Sequence, residues 1–230
     1  MNSGDSVRAC LVGLGWWGIE HARAAKKAEG LEVISCFART KEARETFSAE
    51  HGCRPAASWE EALADTETEA VILATPHSTH ARMVEEAASA GKHVFVEKPF
   101  VLHVPDGQRA IAACGRAGVR LGVGHQRRYQ PAHRALKRLI ESGEMGPAVQ
   151  AEANFSYGYA DKVDPASWRA LPEESPSGSM TGLGIHHADT LQYLLGPIKS
   201  VFASSRPLTT TTNLDDVTAA LLEFESGTHG

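Results

Sequence analysis

Over residues 7–123 short apolar runs alternate with amphipathic stretches, a pattern that few folds accommodate. The apolar runs are VRACLVG, LEVISCF, EAVILAT, KHVFVE and VRLGVG. Between them lie EHARAAKKAE, KEARETFSAEHG, SWEEALAD, HARMVEEAASAGK and PDGQRAIAACGRAG. Continuous apolar strands are buried on both faces, and amphipathic helices between them imply parallel crossovers. Gly30, Gly52, Gly91 and Gly118 follow the helical stretches, where a left-handed cap costs glycine little. The expectation is a doubly wound α/β domain over residues 1–124.

The texture changes after about Gly124. A helix is expected over PAHRALKRLIESGEMG, strand alternation over PAVQAEANFSYGY, and a polar, proline-bearing loop over 161–176. A second helix, HHADTLQYLLG, precedes strand-like IKSVFASSRP and VTAALLEFESG. Strands parted by long insertions predict an α+β domain over residues 125–230 with a mixed or antiparallel sheet. The final ALLEFESGTHG reads as a strand entering a hairpin whose return strand is missing. The expectation is therefore a partial second domain, truncated at its C-terminal end.

Composition narrows the class of partner. A net charge of −5 over 230 residues lacks the basic footprint of a nucleic-acid binder. No run approaches the roughly 18 apolar residues of a membrane span, and the N-terminus lacks a secretory pattern. Cys10, Cys36, Cys53 and Cys114 stand too far apart for a metal clip. They read as reduced thiols of a cytoplasmic protein whose partner is a small molecule.

Within CLVGLGWWGIEHA, Gly13, Gly15 and Gly18 form GxGxxG between a strand and a helix. Gly13 makes the tight turn, Gly15 admits a pyrophosphate to the backbone, and Gly18 lets helix and strand pack closely. The helix N-terminus adds free amides and partial positive charge. An NAD-selective site usually carries an acid at the end of the second strand. Here that strand runs into ISCFARTKEAR, with Arg39 in place of an acid. Arg39 suits a 2′-phosphate, which favours NADP over NAD, although NAD stays possible; the plain alternative is a solvated surface arginine.

The stretch GKHVFVEKPF ends an apolar strand on Glu97, Lys98 and Pro99, at the sheet edge where α/β folds bind ligands. Strand alternation sends Glu97 and Lys98 to opposite faces, so Glu97 can fix the backbone while Lys98 faces a crevice. Pro99 restricts Lys98 to an extended conformation.

With GLGWWG, ATPHSTHARMVEEAASAGKHVFVEKPF, GHQRRYQPAHRALKRLIESGEMG and GIHHADTLQYLLG in this order, the chain resembles the Gfo/Idh/MocA oxidoreductase family. The resemblance covers the whole chain, and Glu-Lys-Pro is its most specific part. It implies an NAD(P)-dependent dehydrogenase or reductase acting on a sugar, polyol or similar small molecule. It also implies a homo-oligomer formed through the second-domain sheet.

Carried over residue by residue, the resemblance makes Lys98 the group that binds the reacting oxygen beside the nicotinamide. It places Trp16, Trp17, Thr75, Pro76, His77 and Glu97 at the cofactor, with His77 where asparagine is commoner. Arg127 and Arg128 match a basic pair, one for cofactor or substrate and the other structural. Trp168 and Arg169 match a Trp-Arg dipeptide near the cofactor; the plain alternative for the tryptophan is core packing.

His186 matches the family's acid–base histidine, and an imidazole titrates where a hydroxyl proton can be taken and returned. On a helix Asp189 shares its face and could orient it, whereas His187 points elsewhere, to packing or solvent. Lys98, Arg128, His186 and Asp189 together form the expected substrate set. Many members carry an aspartate four residues before the histidine; here that residue is Gly182.

Two other readings stand beside this one. The chain could bind a dinucleotide without redox turnover. Alternatively, His186, His187, Asp189, Asp215 and Asp216 could form a metal site, although their spacing fits no zinc pattern.

Overall fold

The structure, a computed structural model, describes residues 6–158, 163–210, 212 and 214–230. It divides into two compact units, residues 1–124 and 125–230.

The first unit has six parallel strands: β1 (Val7–Val12), β2 (Leu31–Phe37), β3 (Arg54–Pro55), β4 (Ala70–Leu73), β5 (His93–Val96) and β6 (Leu121–Val123). Their order is β3-β2-β1-β4-β5-β6, so the winding direction reverses between β1 and β4. That reversal opens a crevice at the carboxyl ends of these two strands. The helices are α1 (Trp16–Ala25), α2 (Lys41–His51), α3 (Trp59–Ala64), α4 (His80–Ser89) and α5 (Val104–Ala117).

Local chemistry sets their ends. The Ser58 hydroxyl accepts the Glu61 amide while the Glu61 carboxylate accepts the Ala57 amide, fixing the start of α3. Gly52 and Gly118 end α2 and α5 at φ of 74° and 69°, a conformation that disfavours any side chain.

Fully buried Val12, Val71, Leu73 and Val96 form one core layer with Trp59, Met83 and Val84. Ala9, Leu11, Cys36, Phe47 and Ile72 form the other. The strands alternate between these layers, as a sheet covered by helices on both faces requires. Strand β3 has no counterpart among the expected strands. It is two residues long and contains a proline, so no apolar run announces it.

The second unit contains α6 (Pro131–Ser142), α7 (Ile185–Leu195) and an antiparallel pair, β7 (Ile198–Arg206) and β8 (Val217–Phe224). After β8 the chain turns, and Leu222 and Gly230 exchange both backbone hydrogen bonds. His229 bridges Gln150 on its other side. The strand expected over PAVQAEANFSYGY is corrected here. Only Gln150 makes a bridge, residues 151–158 join no ladder among the described residues, and Tyr159 lies outside them. The proline-bearing stretch is a set of turns with a 3₁₀ turn at Trp168–Ala170; its residues 161 and 162 also lie outside the described set. No helix among the described residues is long and apolar enough to cross a membrane.

Candidate active site

The three glycines sit at the crevice between β1 and β4. Gly13 has φ 90°, and a Cβ there would overlap the Ala74 carbonyl and come within 2.9 Å of the Thr75 amide nitrogen. A Cβ on Gly18 would overlap the Gly13 carbonyl oxygen. Gly15 differs: no protein atom lies within 4 Å of its Cβ position. Two glycines thus serve packing and the third faces open space, the cradle a pyrophosphate needs. The residues present fit a dinucleotide.

Trp16 is exposed, and its ring meets Trp17 edge-on at 4.6 Å. Arg39 is exposed just beyond β2. Its loop is held by a residue without a sequence signal, Arg44 of α2. That guanidinium donates to the carbonyls of Ala38, at 2.8 Å, and Arg39, at 3.2 Å.

Thr75, Pro76 and His77 follow β4. The Thr75 and Thr79 hydroxyls lie 2.7 Å apart, and Thr79 also donates to the Pro76 carbonyl. Beneath them His80 is fully buried. Its Nδ1 lies 2.9 Å from the Pro99 carbonyl oxygen and its Nε2 3.0 Å from that of Thr75. Burial pushes the pKa of His80 down, against the upward pull of both carbonyls and of Glu97.

Glu97 turns inward at the end of β5. One carboxylate oxygen accepts from His21 Nε2 of α1 at 2.9 Å, the other from the Lys98 amide at 3.2 Å. Gly124 leaves room for it; a Cβ there would meet Glu97 Oε1 at 2.9 Å. Glu97 thus braces the backbone that carries Lys98, and it is committed to protein partners. Lys98 is half-buried and joined to Pro99 by a cis peptide.

In the second unit a π-helical turn, Met180–Gly184, leads into α7. Such turns recur at functional sites. Here it precedes His186, which is 6% exposed. Nothing lies within 4 Å of a Cβ placed on Gly182, so an acid at this position would meet no steric bar.

Asp189 is held by an arginine. Arg128 Nε donates to both of its oxygens at 2.9 Å, and Arg128 Nη2 closes onto Oδ1. His125 Nδ1 lies 3.6 Å away. The Arg128 guanidinium also lies over the Tyr193 ring. Of the basic pair, Arg128 is therefore the ion-paired member. Arg127 stacks over Phe155 at 4.8 Å, and the His187 ring meets the same phenyl edge-on.

Arg169 stacks on Trp168 at 4.3 Å. Asp216 accepts three amides of Leu208–Thr210 and the Thr209 hydroxyl, which holds its carboxyl well below the usual range. With Asp189 and Asp216 so engaged, the alternative metal set does not assemble. No group of three potential ligands occurs among the described residues.

The family model of the oxidoreductase family with an NAD-binding Rossmann fold matches residues 7–125. That of the GFO/IDH/MocA C-terminal domain matches residues 133–230. The chain belongs to the Gfo/Idh/MocA oxidoreductase family.

Among curated Gfo/Idh/MocA relatives, 1,5-anhydro-D-fructose reductase of Ensifer adhaerens is 29% identical, over 94% of this chain and 66% of its own length. D-Apiose dehydrogenase of Paraburkholderia graminis is 30% identical, over 96% and 58%. scyllo-Inositol 2-dehydrogenase (NAD(+)) of Bacillus subtilis is 32% identical, over 97% and 66%. The chain thus spans between 58% and 66% of the length of these three relatives.

Two solved structures share the fold throughout. A putative NADPH-dependent oxidoreductase from Desulfitobacterium hafniense is 35% identical with a TM-score of 0.94, covering 100% of this chain and 66% of that one. The WlbA dehydrogenase from Bordetella pertussis, in complex with NADH and UDP-GlcNAcA, is 30% identical with a TM-score of 0.89, covering 100% and 67%.

Proposed function

We propose that the protein is an NAD(P)-dependent oxidoreductase that moves a hydride between a nicotinamide and a small hydroxylated or carbonyl compound, a sugar, polyol or relative. The observation that carries this reading is the cradle in which Gly13 and Gly18 are closed by backbone and Gly15 is open. A bound dinucleotide would supply the hydride acceptor or donor. The chain's own groups divide the remaining work. Lys98, an ammonium at the end of β5, would hold the reacting oxygen and stabilise charge that develops on it. In the oxidative direction His186 would take the hydroxyl proton, and in the reductive direction return it. Arg127, free of the ion pair that engages Arg128, is the better candidate for a polar contact to substrate or cofactor.

Arg39 supports a preference for NADP, since a guanidinium at the end of β2 suits a 2′-phosphate. The exposed face of β7 and β8, with Phe202 and Leu221 paired across the strands, supports a homo-oligomer that associates through the sheet. Four free buried cysteines suit a reducing, cytoplasmic setting.

The test is a fluorescence titration with NADPH and NADH, then a screen of inositols, aldoses, anhydro-sugars and sugar acids for absorbance change at the nicotinamide band. Turnover lost in Lys98→Ala, with cofactor binding kept, is the expected result. Binding without turnover on any compound would leave a dinucleotide-binding protein, and the enzyme reading would fall. An Arg39→Ala protein that keeps its NADPH preference would remove the 2′-phosphate argument.

A further inference from the structure

His80 is a fully buried histidine that the proposed chemistry leaves unused. It is fully buried at the first position of α4, yet both ring nitrogens face backbone carbonyls. A neutral imidazole carries one donor and an imidazolium two. Either form ties the ring to at least one of two segments, and the charged form ties both. These are the segments the site needs. The Thr75 carbonyl opens the Thr75–His77 turn, and the Pro99 carbonyl comes one residue after Lys98.

On the other side of Lys98, Glu97 is gripped by His21 of α1 and accepts the Lys98 amide. The lysine is therefore flanked by two imidazoles from two different helices. One holds the preceding side chain and the other the following carbonyl. A solvated strand end would need neither.

We infer that His80 is a positioning residue: its bond to the Pro99 carbonyl fixes the backbone of Lys98 relative to the Thr75–His77 turn, and so aims the amine. The consequence for catalysis rests on the reading of Lys98 given above, whereas the positioning itself does not. Besides the Pro99 and Thr75 carbonyls, the ring is faced by the Phe100 backbone, by the His77 imidazole, edge-on at 5.9 Å, and by the charge of the Glu97 carboxylate.

Two isosteric substitutions separate the two bonds. In His80→Asn the amide nitrogen stands where Nδ1 stood, counted in bonds from the backbone, and can still donate to Pro99. In His80→Gln it stands where Nε2 stood and donates to Thr75 alone. The readout is the rate at which the Lys98 amine of the full chain, without cofactor, is dimethylated by formaldehyde and cyanoborohydride. Peptide mass spectrometry follows it, with exposed Lys41 and Lys199 as internal references. The temperature is kept well below the melting point of each variant.

With the Pro99 bond lost, Lys98 in His80→Gln should react at least about twofold faster relative to the references, the lower range of one net hydrogen bond. In His80→Asn it should react as in the wild type. Equal rates in all three proteins, or equal acceleration in both variants, would overturn the inference. Because the measurement needs no turnover, an absence of dehydrogenase activity would sink the proposed function and leave this result readable. Where turnover is found, His80→Gln should lower kcat and leave NADPH affinity unchanged; a purely structural role would not split them.

Discussion

Adding a single methyl at Gly15 should stabilise the protein and damage its cofactor site at the same time. Gly15 has φ −76° and ψ −165°, an extended conformation that alanine adopts without strain. Its Cβ would touch no protein atom within 4 Å. Gly15→Ala therefore loses no packing and narrows the unfolded ensemble, which contributes about 0.4–1 kcal/mol. For a chain of this size that raises Tm by roughly 1–4 °C. In the proposed reading the same methyl occupies the approach of the pyrophosphate, and overpacking of about 1–3 kcal/mol corresponds to binding weaker by about 5- to 150-fold. Gly18→Ala supplies the contrast, since its Cβ would overlap the Gly13 carbonyl and must push α1 off β1. It should lower Tm and weaken binding together. Differential scanning fluorimetry and NADPH fluorescence titration on the three proteins read both quantities. If Gly15→Ala binds NADPH as the wild type does, or is itself destabilised, the assignment of the open glycine to the phosphate is wrong.

Arg128→Ala strands Asp189, whose side chain is 7% exposed. Because Arg128 is itself 44% exposed, water can enter, and the loss should be roughly 1–3 kcal/mol; Arg128→Lys should not restore it, lacking the bidentate fork. Gly182→Ala should add about 1 kcal/mol to stability, since its methyl enters free space in a helical turn; a fall in Tm would contradict the open position. Stability should also decline as pH drops below about 6.5. Burial holds His51 and His187 below that value, Lys26 adding to the effect at His51 and Arg127 and His133 at His187. The folded state thus favours the neutral rings, the unfolded chain binds more protons, and the stabilisation is lost as pH falls through the unfolded pKa. His51→Phe should flatten the decline between pH 7.5 and 5.5; an unchanged slope of Tm against pH would refute it.

The parts legible in the sequence were those encoded locally. Five of the six parallel strands are apolar runs, and the GxGxxG cradle is three residues within one turn. Strand β3 is too short to carry a pattern. The alternation over 147–159 looked like a strand, but a strand exists only through its partners, and beyond the Ala151 amide, which donates to the His229 carbonyl, no ladder continues among the described residues. The supporting residues were invisible for a similar reason. His21 and His80 each sit alone on a helix, where a histidine looks like core or surface. Only the fold brings them to Glu97, 76 residues away, and to Pro99, 19 residues away. The bond between Arg128 and Asp189 spans 61 positions, so spacing along one helix could not show it. Arg44 reads as one more charge on a solvated helix until its guanidinium is seen on the carbonyls before and at Arg39.

Gly18 rests on the carbonyl of Gly13, and Gly13 rests on the junction of Ala74 and Thr75. Main chain touches main chain from α1 through the first turn to the turn after β4, without a side chain between them to yield. These three segments can move only together, like meshed gears. A perturbation at Gly18 must therefore reach Thr75–His77, more than fifty residues away in sequence, while one at Gly15 stays local. Evolution or engineering that spares this meshing is free at Gly15, whose Cβ position is open. At Gly13 and Gly18 it would have to change two loops at once.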